Sequence, residues 1–218
     1  MAGPEPVAHR VIAIDGPAGS GKSTVARAVA DRLGLEYLDT GAMYRGVAFA
    51  VLQRGVDPAD VTAVADVARS VTLEVTRSAC IVDGEDASAA IRGAEVTTAV
   101  TAVAANPEVR VEMVARQRSW VLERGGGVME GRDIGSVVFP EAELKVHLIA
   151  SPEVRAQRRA AETPGLDVVA VAADIRRRDV ADSSRAASPL VEASGAEVID
   201  TSDLAVPEIV DAIVGMLS

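Results

Sequence analysis

An apolar segment that runs directly into a glycine-rich loop constrains this chain more than any other sequence feature. Residues 11–14 are predicted to form a buried strand, and the sequence GPAGSGKS at 16–23 matches the pattern G-x-x-x-x-G-K-[ST]. Glycines allow successive backbone N–H groups to point at phosphate oxygens, and a helix predicted over 22–33 adds the positive end of its dipole. In this pattern the lysine ammonium can follow a transferred phosphoryl group, and the serine hydroxyl suits Mg²⁺. We therefore assign metal binding to Ser23 and phosphate binding to Gly16, Pro17, Ala18, Gly19, Ser20, Gly21, Lys22, Ser23 and Thr24.

Short apolar runs alternate with longer helical segments over most of the chain. This alternation is typical of a parallel sheet that is covered by helices. Residues 58–104 differ, because a helix predicted over 58–70, with Pro58 in its first turn, precedes β-prone segments at 71–76 and 80–82. We expect a small β-containing insert there. Elsewhere strands are predicted at 11–14, 128–129, 144–149 and 198–199, and helices at 22–33, 41–53, 107–123, 152–161, 168–181 and 206–217.

Composition and charge exclude several classes of protein. Only 2 % of the 218 residues are aromatic, which disfavours recognition of single-stranded nucleic acid by base stacking. A net charge of −10 disfavours nucleic acid and anionic membranes as partners. One cysteine excludes an internal disulfide, and with two histidines it disfavours a Cys/His metal site. The longest uncharged segment, 96–107, is too short to span a bilayer, and residues 1–9 do not resemble a signal peptide, so we expect a soluble cytoplasmic protein.

A basic cluster stands out against this acidic background. Residues 155–185 contain seven arginines and five acidic residues. Arg155, Arg158 and Arg159 are spaced i, i+3, i+4 and would share one helix face, from which they could clamp the charge of a transferring phosphoryl group. A solvated helical hairpin held by ion pairs is the alternative. The guanine-specific pattern N-K-x-D is absent, since the only asparagine precedes a proline, so a small kinase is favoured over a GTPase switch.

Three further blocks of sequence resemble the bacterial cytidylate kinases. They are YLDTGAMYR at 37–45, GRDIG at 131–135 with VVFP at 137–140, and RDxxDxxR at 178–185 followed by AxPL at 187–190. The similarity extends from about Val11 to beyond Asp200, and these blocks are much more specific than the glycine-rich loop alone.

The resemblance implies a fold and a division of the chain. The expected fold is an α/β, P-loop NTPase-type parallel five-stranded sheet flanked by helices. The resemblance also implies core segments at 10–39, 106–151 and 168–218. A monophosphate-binding lobe would span 40–105, with the insert near 66–100, and a short lid would span 152–167.

The resemblance also implies an activity and its ligands. The implied reaction transfers a phosphoryl group from ATP, with Mg²⁺, to CMP or dCMP. The implied partners are these nucleotides alone, with neither nucleic acid nor membrane, and we expect a monomer.

The resemblance further assigns roles to individual residues. The acceptor phosphate is assigned to Arg45 and Arg132. The cytosine is assigned to Thr40, Arg110, Asp133 and Arg185. The pentose is assigned to Thr101, Arg178 and Asp182. Catalysis is assigned to Lys22, Arg132, Arg155, Arg158 and Arg159, and residues 200–202 are expected near the adenine.

Two alternatives to this function stay open at the level of sequence. One is a P-loop kinase for another acceptor, such as UMP, AMP or a shikimate-like molecule. The other is a nucleotide-binding protein without turnover, which Lys22, Arg45 and Arg132 together disfavour. For Asp133 and Arg132, a structural ion pair at a strand end is the alternative to substrate binding. Glu130 stands where the family often has aspartate, so its relation to Mg²⁺ is undecided.

Overall fold

The computed structural model describes residues 9–162, 167–185 and 188–217. Its strands are β1 (Arg10–Asp15), β2 (Tyr37–Asp39), β3 (Leu73–Val75), β4 (Cys80–Val82), β5 (Glu85–Asp86), β6 (Gly126–Gly131), β7 (Leu144–Ile149) and β8 (Glu197–Asp200). Its helices are α1 (Lys22–Leu33), α2 (Thr40–Gln53), α3 (Val61–Ser70), α4 (Ala94–Ala105), α5 (Pro107–Arg124), α6 (Pro152–Glu162), α7 (Val168–Ser183) and α8 (Val206–Gly215).

Five parallel strands form the central sheet, in the order β2-β6-β1-β7-β8. Successive side chains of a strand point to opposite faces of its sheet. Val11 and Ala13 of β1 accordingly join the apolar cluster that includes α2, whereas Ile12 and Ile14 join the cluster that includes α1 and α8. Helices therefore cover both faces, which confirms the predicted parallel α/β sheet. Ligand sites in such sheets lie at the carboxyl ends of the strands.

Helix ends follow the local capping chemistry. α1 has the predicted bounds because Gly21 and Gly34 flank it in left-handed conformation, with φ of 86° and 65°. The prediction that Pro58 lies in the first turn of a helix was wrong. That helix, α3, begins at Val61, because the carboxylate of Asp60 accepts the N–H of Ala63 at 3.0 Å and caps it. Pro58 lies in the preceding turn, which the N–H of Asp60 closes onto the carbonyl of Asp57 at 2.9 Å.

The predicted β-containing insert is a three-stranded antiparallel sheet in the order β3-β4-β5. It packs closely on α2, since a Cβ at Gly46 would lie 2.5 Å from Cδ1 of Leu73. The helix α4 follows the insert and was not predicted. Its alanines, valines and threonines carry little helix signal, but Val96, Ala99 and Val103 are buried at helical spacing.

The helices α6 and α7 pack against each other through a small apolar cluster of Ala156, Val171 and Ile175. Residues 163–166, which lie between the helices predicted over 152–161 and 168–181, are outside the described residues, as is Ala187 of the last sequence block. No helix within the described ranges is both long enough and apolar enough to cross a membrane.

Candidate active site

A cavity of about 590 Å³ lies beside the glycine-rich loop. Residues of the loop, α2, α4, α5, the segment after β6, α6 and α7 line it. In the described part of the chain its lining carries four acidic side chains, Asp39, Glu130, Asp133 and Asp182, and nine basic ones, Lys22, Arg27, Arg45, Arg92, Arg110, Arg132, Arg159, Arg178 and Arg185. Such an excess of positive charge, in a chain of net charge −10, favours an anionic ligand.

The glycine-rich loop forms one end of this cavity, where Ala18, Gly19, Gly21, Lys22, Ser23 and Thr24 line the wall. Gly16 has φ of 148°, and a Cβ there would lie 2.1 Å from the carbonyl oxygen of Leu148, so only glycine fits. Lys22 Nζ donates to the carbonyl of Pro17 at 2.7 Å. Burial, and next the charge of Arg132, lower the pKa of Lys22 to about 7. A ligand phosphate would relieve this cost of burying an ammonium.

Oxygen ligands for a cation lie at the same end. The hydroxyl of Ser23 donates to the carboxylate of Glu130 at 2.9 Å, and the phenol of Tyr37 donates to the other carboxylate oxygen. Burial, and next the charge of Asp39, raise the pKa of Glu130. The hydroxyl of Thr40, which was predicted to meet the cytosine, donates to the backbone carbonyl of Glu130 at 2.6 Å.

A buried ion pair between Arg110 and Asp133 forms another part of the cavity lining. The guanidinium of Arg110 also lies over the ring of Tyr44, 5.5 Å from its centroid. The structure therefore does not contain the Asp133–Arg132 pair that the sequence left as an alternative. Arg132 instead donates to Asp182 at 2.7 Å, and Arg185 donates to the other oxygen of Asp182.

Three guanidinium groups of the cavity lining, those of Arg45, Arg159 and Arg178, are close enough to repel one another. Burial, then the charges of Arg178 and Arg159, lower the pKa of Arg45 to about 10, and burial also lowers the pKa of Arg178. Arg45 is held in place by donating to the carbonyl of Ile91 at 3.0 Å and to the hydroxyl of Thr97 at 2.9 Å. Mutual repulsion of this kind is relieved by a dianionic phosphate.

The three arginines of α6 do not point to a common centre. Arg159 lines the cavity. Arg155 donates to Asp179 at 2.7 Å and to the carbonyl of Ala18 at 3.1 Å, and Arg158 donates to the hydroxyl and carbonyl of Thr201 at 2.9 and 2.6 Å. The three residues are neighbours on one helix face, but Arg155 and Arg158 bond to different segments that pack against α6. The catalytic roles of Arg155 and Arg158 stay predictions.

The remaining predicted residues have the following places. Thr101 lines the cavity from α4, and Arg178 lines it while paired with Asp174 at 2.9 Å. Thr201, expected near the adenine, is buried and donates to the carbonyl of Ser20 at 3.0 Å.

Sequence reasoning missed several residues of the site. They are Asp15, Arg27, Tyr37, Arg92 and Thr97. Two of them were detectable in the sequence. Arg27 follows Ser23 by four residues on the same helix face, and Asp15 is the last residue of the strand that enters the loop.

The sequence is similar to known proteins over nearly its whole length. The family model described as cytidylate kinase matches residues 12–218. Proteins named cytidylate kinase from Mycobacterium leprae and Rhodococcus opacus are 50 % identical over 204 residues and 47 % identical over 216 residues. These alignments cover 92 % and 95 % of this chain and 92 % and 94 % of the relatives.

Among solved structures, a gluconokinase from Sinorhizobium meliloti has a TM-score of 0.52 at 16 % identity and covers 95 % of this chain and 91 % of its own. This likeness shows the fold alone. The family match, by contrast, extends over nearly the whole sequence and includes every block that lines the cavity. The chain belongs to the cytidylate kinase family.

Proposed function

We propose that the protein transfers the γ-phosphoryl group of ATP to CMP or dCMP and so forms ADP and CDP or dCDP. The observation that carries this proposal is the single cavity that joins Lys22 and the glycine-rich loop to the Arg110–Asp133 pair. Donor and acceptor sites that open into one space can hold two nucleotides with their phosphates facing each other. The guanidinium groups of Arg45, Arg159 and Arg178 line the same cavity.

Recognition of the base follows from the hydrogen-bonding pattern of cytosine. Its amino group can donate to the carboxylate of Asp133, and its N3 and O2 can accept from Arg110 or Arg185. Uracil reverses the donor and acceptor at N3 and position 4, which would leave buried groups unpaired. An unpaired buried polar group costs about 1–3 kcal/mol, which corresponds to roughly tenfold to hundredfold discrimination.

The phosphoryl transfer needs no covalent enzyme intermediate. An oxygen of the acceptor phosphate attacks the γ-phosphorus in line, and the bond from that phosphorus to the β,γ-bridging oxygen breaks, so that ADP leaves. Lys22 contributes charge on the donor side, and Arg45, Arg132 and Arg159 contribute charge on the acceptor side. Catalysis then consists of positioning and of stabilising negative charge.

The residues present fit a magnesium ion. Ser23 and Glu130 offer oxygen atoms at the cavity wall, and Mg²⁺ prefers oxygen ligands shared with substrate phosphates. Within residues 9–162, 167–185 and 188–217 no group of three His, Cys, Asp or Glu side chains forms a cage of its own. We therefore propose that Ser23 and Glu130 would hold the ion, which when bound supplies positive charge to the phosphates.

We also propose the division of the chain that the family resemblance implies. The segment 40–105 would be the monophosphate-binding lobe, with its insert near 66–100, and 152–167 would be the lid over a core formed by the rest. A cytoplasmic monomer that binds these nucleotides alone remains our expectation, and light scattering of the purified protein would measure the oligomeric state.

An acceptor panel tests the proposed function. Purified protein with ATP and Mg²⁺ is offered CMP, dCMP, UMP, AMP and shikimate, and release of ADP is followed. We expect turnover with CMP or dCMP well above that with the other acceptors. Turnover that prefers AMP or shikimate would refute the acceptor, and ATP binding without turnover of any acceptor would favour the non-catalytic alternative.

A further inference from the structure

A buried carboxylate links the end of β1, where the glycine-rich loop begins, to the turn that follows β6. Asp15, the last residue of β1, is 5 % exposed. One of its carboxylate oxygens accepts the N–H of Ile134 at 2.9 Å, and the other accepts the N–H of Gly135 at 2.8 Å. The backbone of Asp15 continues directly into Gly16, so this residue contacts both halves of the site.

The two N–H groups belong to the start of a short π-helical turn, Ile134–Val138. The first N–H groups of a helical turn have no partner within the turn, and an acceptor placed there fixes how the turn begins. This π-helical turn also fixes the backbone of Asp133, whose carbonyl accepts the N–H groups of Val137 and Val138 at 2.9 and 3.2 Å. The position of Asp133 therefore depends on a turn that Asp15 anchors.

We propose that Asp15 is a positioning residue for the acceptor, because its two hydrogen bonds orient the Arg132-Asp133 segment for the base and phosphate of the monophosphate. This inference rests on the proposed function and deepens it. Asp15 itself need not touch either nucleotide. A purely structural role would instead affect the donor and the acceptor alike, since Asp15 also leads into the glycine-rich loop.

The charges around Asp15 give the proposal a second readout. Burial raises the pKa of Asp15 to about 6, although the bonds from Gly135 and Ile134 oppose this rise. Asp133 also raises this pKa and Lys22 lowers it. Arg132 faces the same carboxylate, and His147 is its register partner on β7. At neutral pH the ionised carboxylate accepts both N–H groups, whereas a protonated one presents a donor to one of them.

Substitution of Asp15 by asparagine tests the proposal. The amide keeps one acceptor oxygen and turns an NH₂ group toward a backbone N–H. We expect the KM for CMP to rise about tenfold or more, since one buried N–H loses its partner. The preference for CMP over UMP should fall as well, while the KM for ATP changes by less than about twofold. The matched control is Asp60→Ala, which removes a helix cap far from the cavity and should lower the melting temperature without changing either KM.

The wild-type protein provides a second measurement that does not depend on folding of the variant. The preference for CMP over UMP is measured at pH values from about 7.5 to about 5.5. Because this preference is a ratio for two nucleotides that carry the same phosphate group, titration of that phosphate cancels. In the wild type we expect the preference for CMP to decrease as the pH drops below about 6. In Asp15→Asn we expect this preference to be low and independent of pH. A preference that changes with pH in the same way in the wild type and in Asp15→Asn would show that another group titrates, and would overturn the proposal.

Two kinetic outcomes separate this inference from the proposed function. An Asp15→Asn variant that keeps the wild-type CMP preference, or that raises both KM values in proportion, overturns the inference alone. A wild type that does not phosphorylate CMP overturns the proposed function and the inference with it.

Discussion

The two ends of the cavity are built from different materials. The donor end is a contiguous loop whose shape depends on glycines and whose partners are mostly backbone groups, such as the carbonyl of Pro17 that accepts Lys22. The acceptor end is assembled from side chains of α2, α4, α5, α7 and the turn after β6. Several of its cations are paired with carboxylates, as Arg110 is with Asp133 and Arg132 with Asp182.

The two ends therefore have different roles, because one supplies affinity for nucleotides in general and the other supplies selectivity among them. A backbone cradle is fixed in advance and reads phosphate, which every nucleotide offers. Side-chain ion pairs can exchange their partners for groups of a ligand, so they can distinguish one base from another. We therefore expect changes at the donor end to abolish turnover for all acceptors, and changes at the acceptor end to alter which acceptor is used.

The largest expected effect is at Lys22. A Lys22→Met variant removes the ammonium but keeps the length of the buried side chain. We expect kcat to fall by about 10²–10³-fold with every acceptor, because a preorganised charge on the transferring group is lost. The KM for CMP should change little, as measured by a coupled assay of ADP release. A variant with near-normal kcat would contradict the role assigned to the donor end.

The second-largest effect is expected at the acceptor end. An Asp133→Asn variant should lower kcat/KM for CMP by roughly tenfold to hundredfold and lower the preference over UMP, since the carboxylate no longer accepts from the cytosine amino group. The KM for ATP should stay unchanged. A melting curve must accompany the kinetics, because Arg110 would lose its buried partner. An equal loss with UMP would contradict a role in choosing the base.

The same contrast explains what could be predicted from the sequence. The donor end is a local pattern, so the turn before α1 and the bounds of α1 could be predicted from glycine positions. The pairing of acceptor arginines depends on which helices pack together, and spacing alone did not reveal that Arg132 bonds to Asp182 or that Arg158 bonds to Thr201. Helix α4 was missed for a similar reason, since its tertiary contacts with α2 outweigh the weak helix preference of its residues.

A third and smaller effect lies where the two ends meet. A Tyr37→Phe variant removes only the hydroxyl that holds the carboxylate of Glu130 beside Ser23. We expect the Mg²⁺ concentration that gives half-maximal rate to rise about tenfold, with little change at saturating Mg²⁺, because the oxygen ligands remain. Mn²⁺ binding in the presence of an ATP analogue, followed by electron paramagnetic resonance, should weaken in step. Tyr44→Phe, the only other tyrosine exchange that the chain allows, should leave Mn²⁺ binding unchanged.

The smallest effect is expected outside both ends, where the insert sheet meets α1. Arg77, in the turn between β3 and β4, forms a two-bonded ion pair with Asp31 of α1, and both side chains are half-exposed. Because water and salt screen such a pair, Arg77→Ala should leave both KM values unchanged and barely move the urea midpoint, least of all at high salt.

Arg116→Ala is the matched comparison, since Arg116 is partly buried and donates to the carbonyls of Val71 and Ala68 at the end of α3. Its loss should cost about 1–3 kcal/mol of unfolding free energy. If Arg77→Ala instead raised the KM for CMP, the insert would be part of the acceptor end, and the division of the site into a local donor loop and a side-chain acceptor cluster would have to include it.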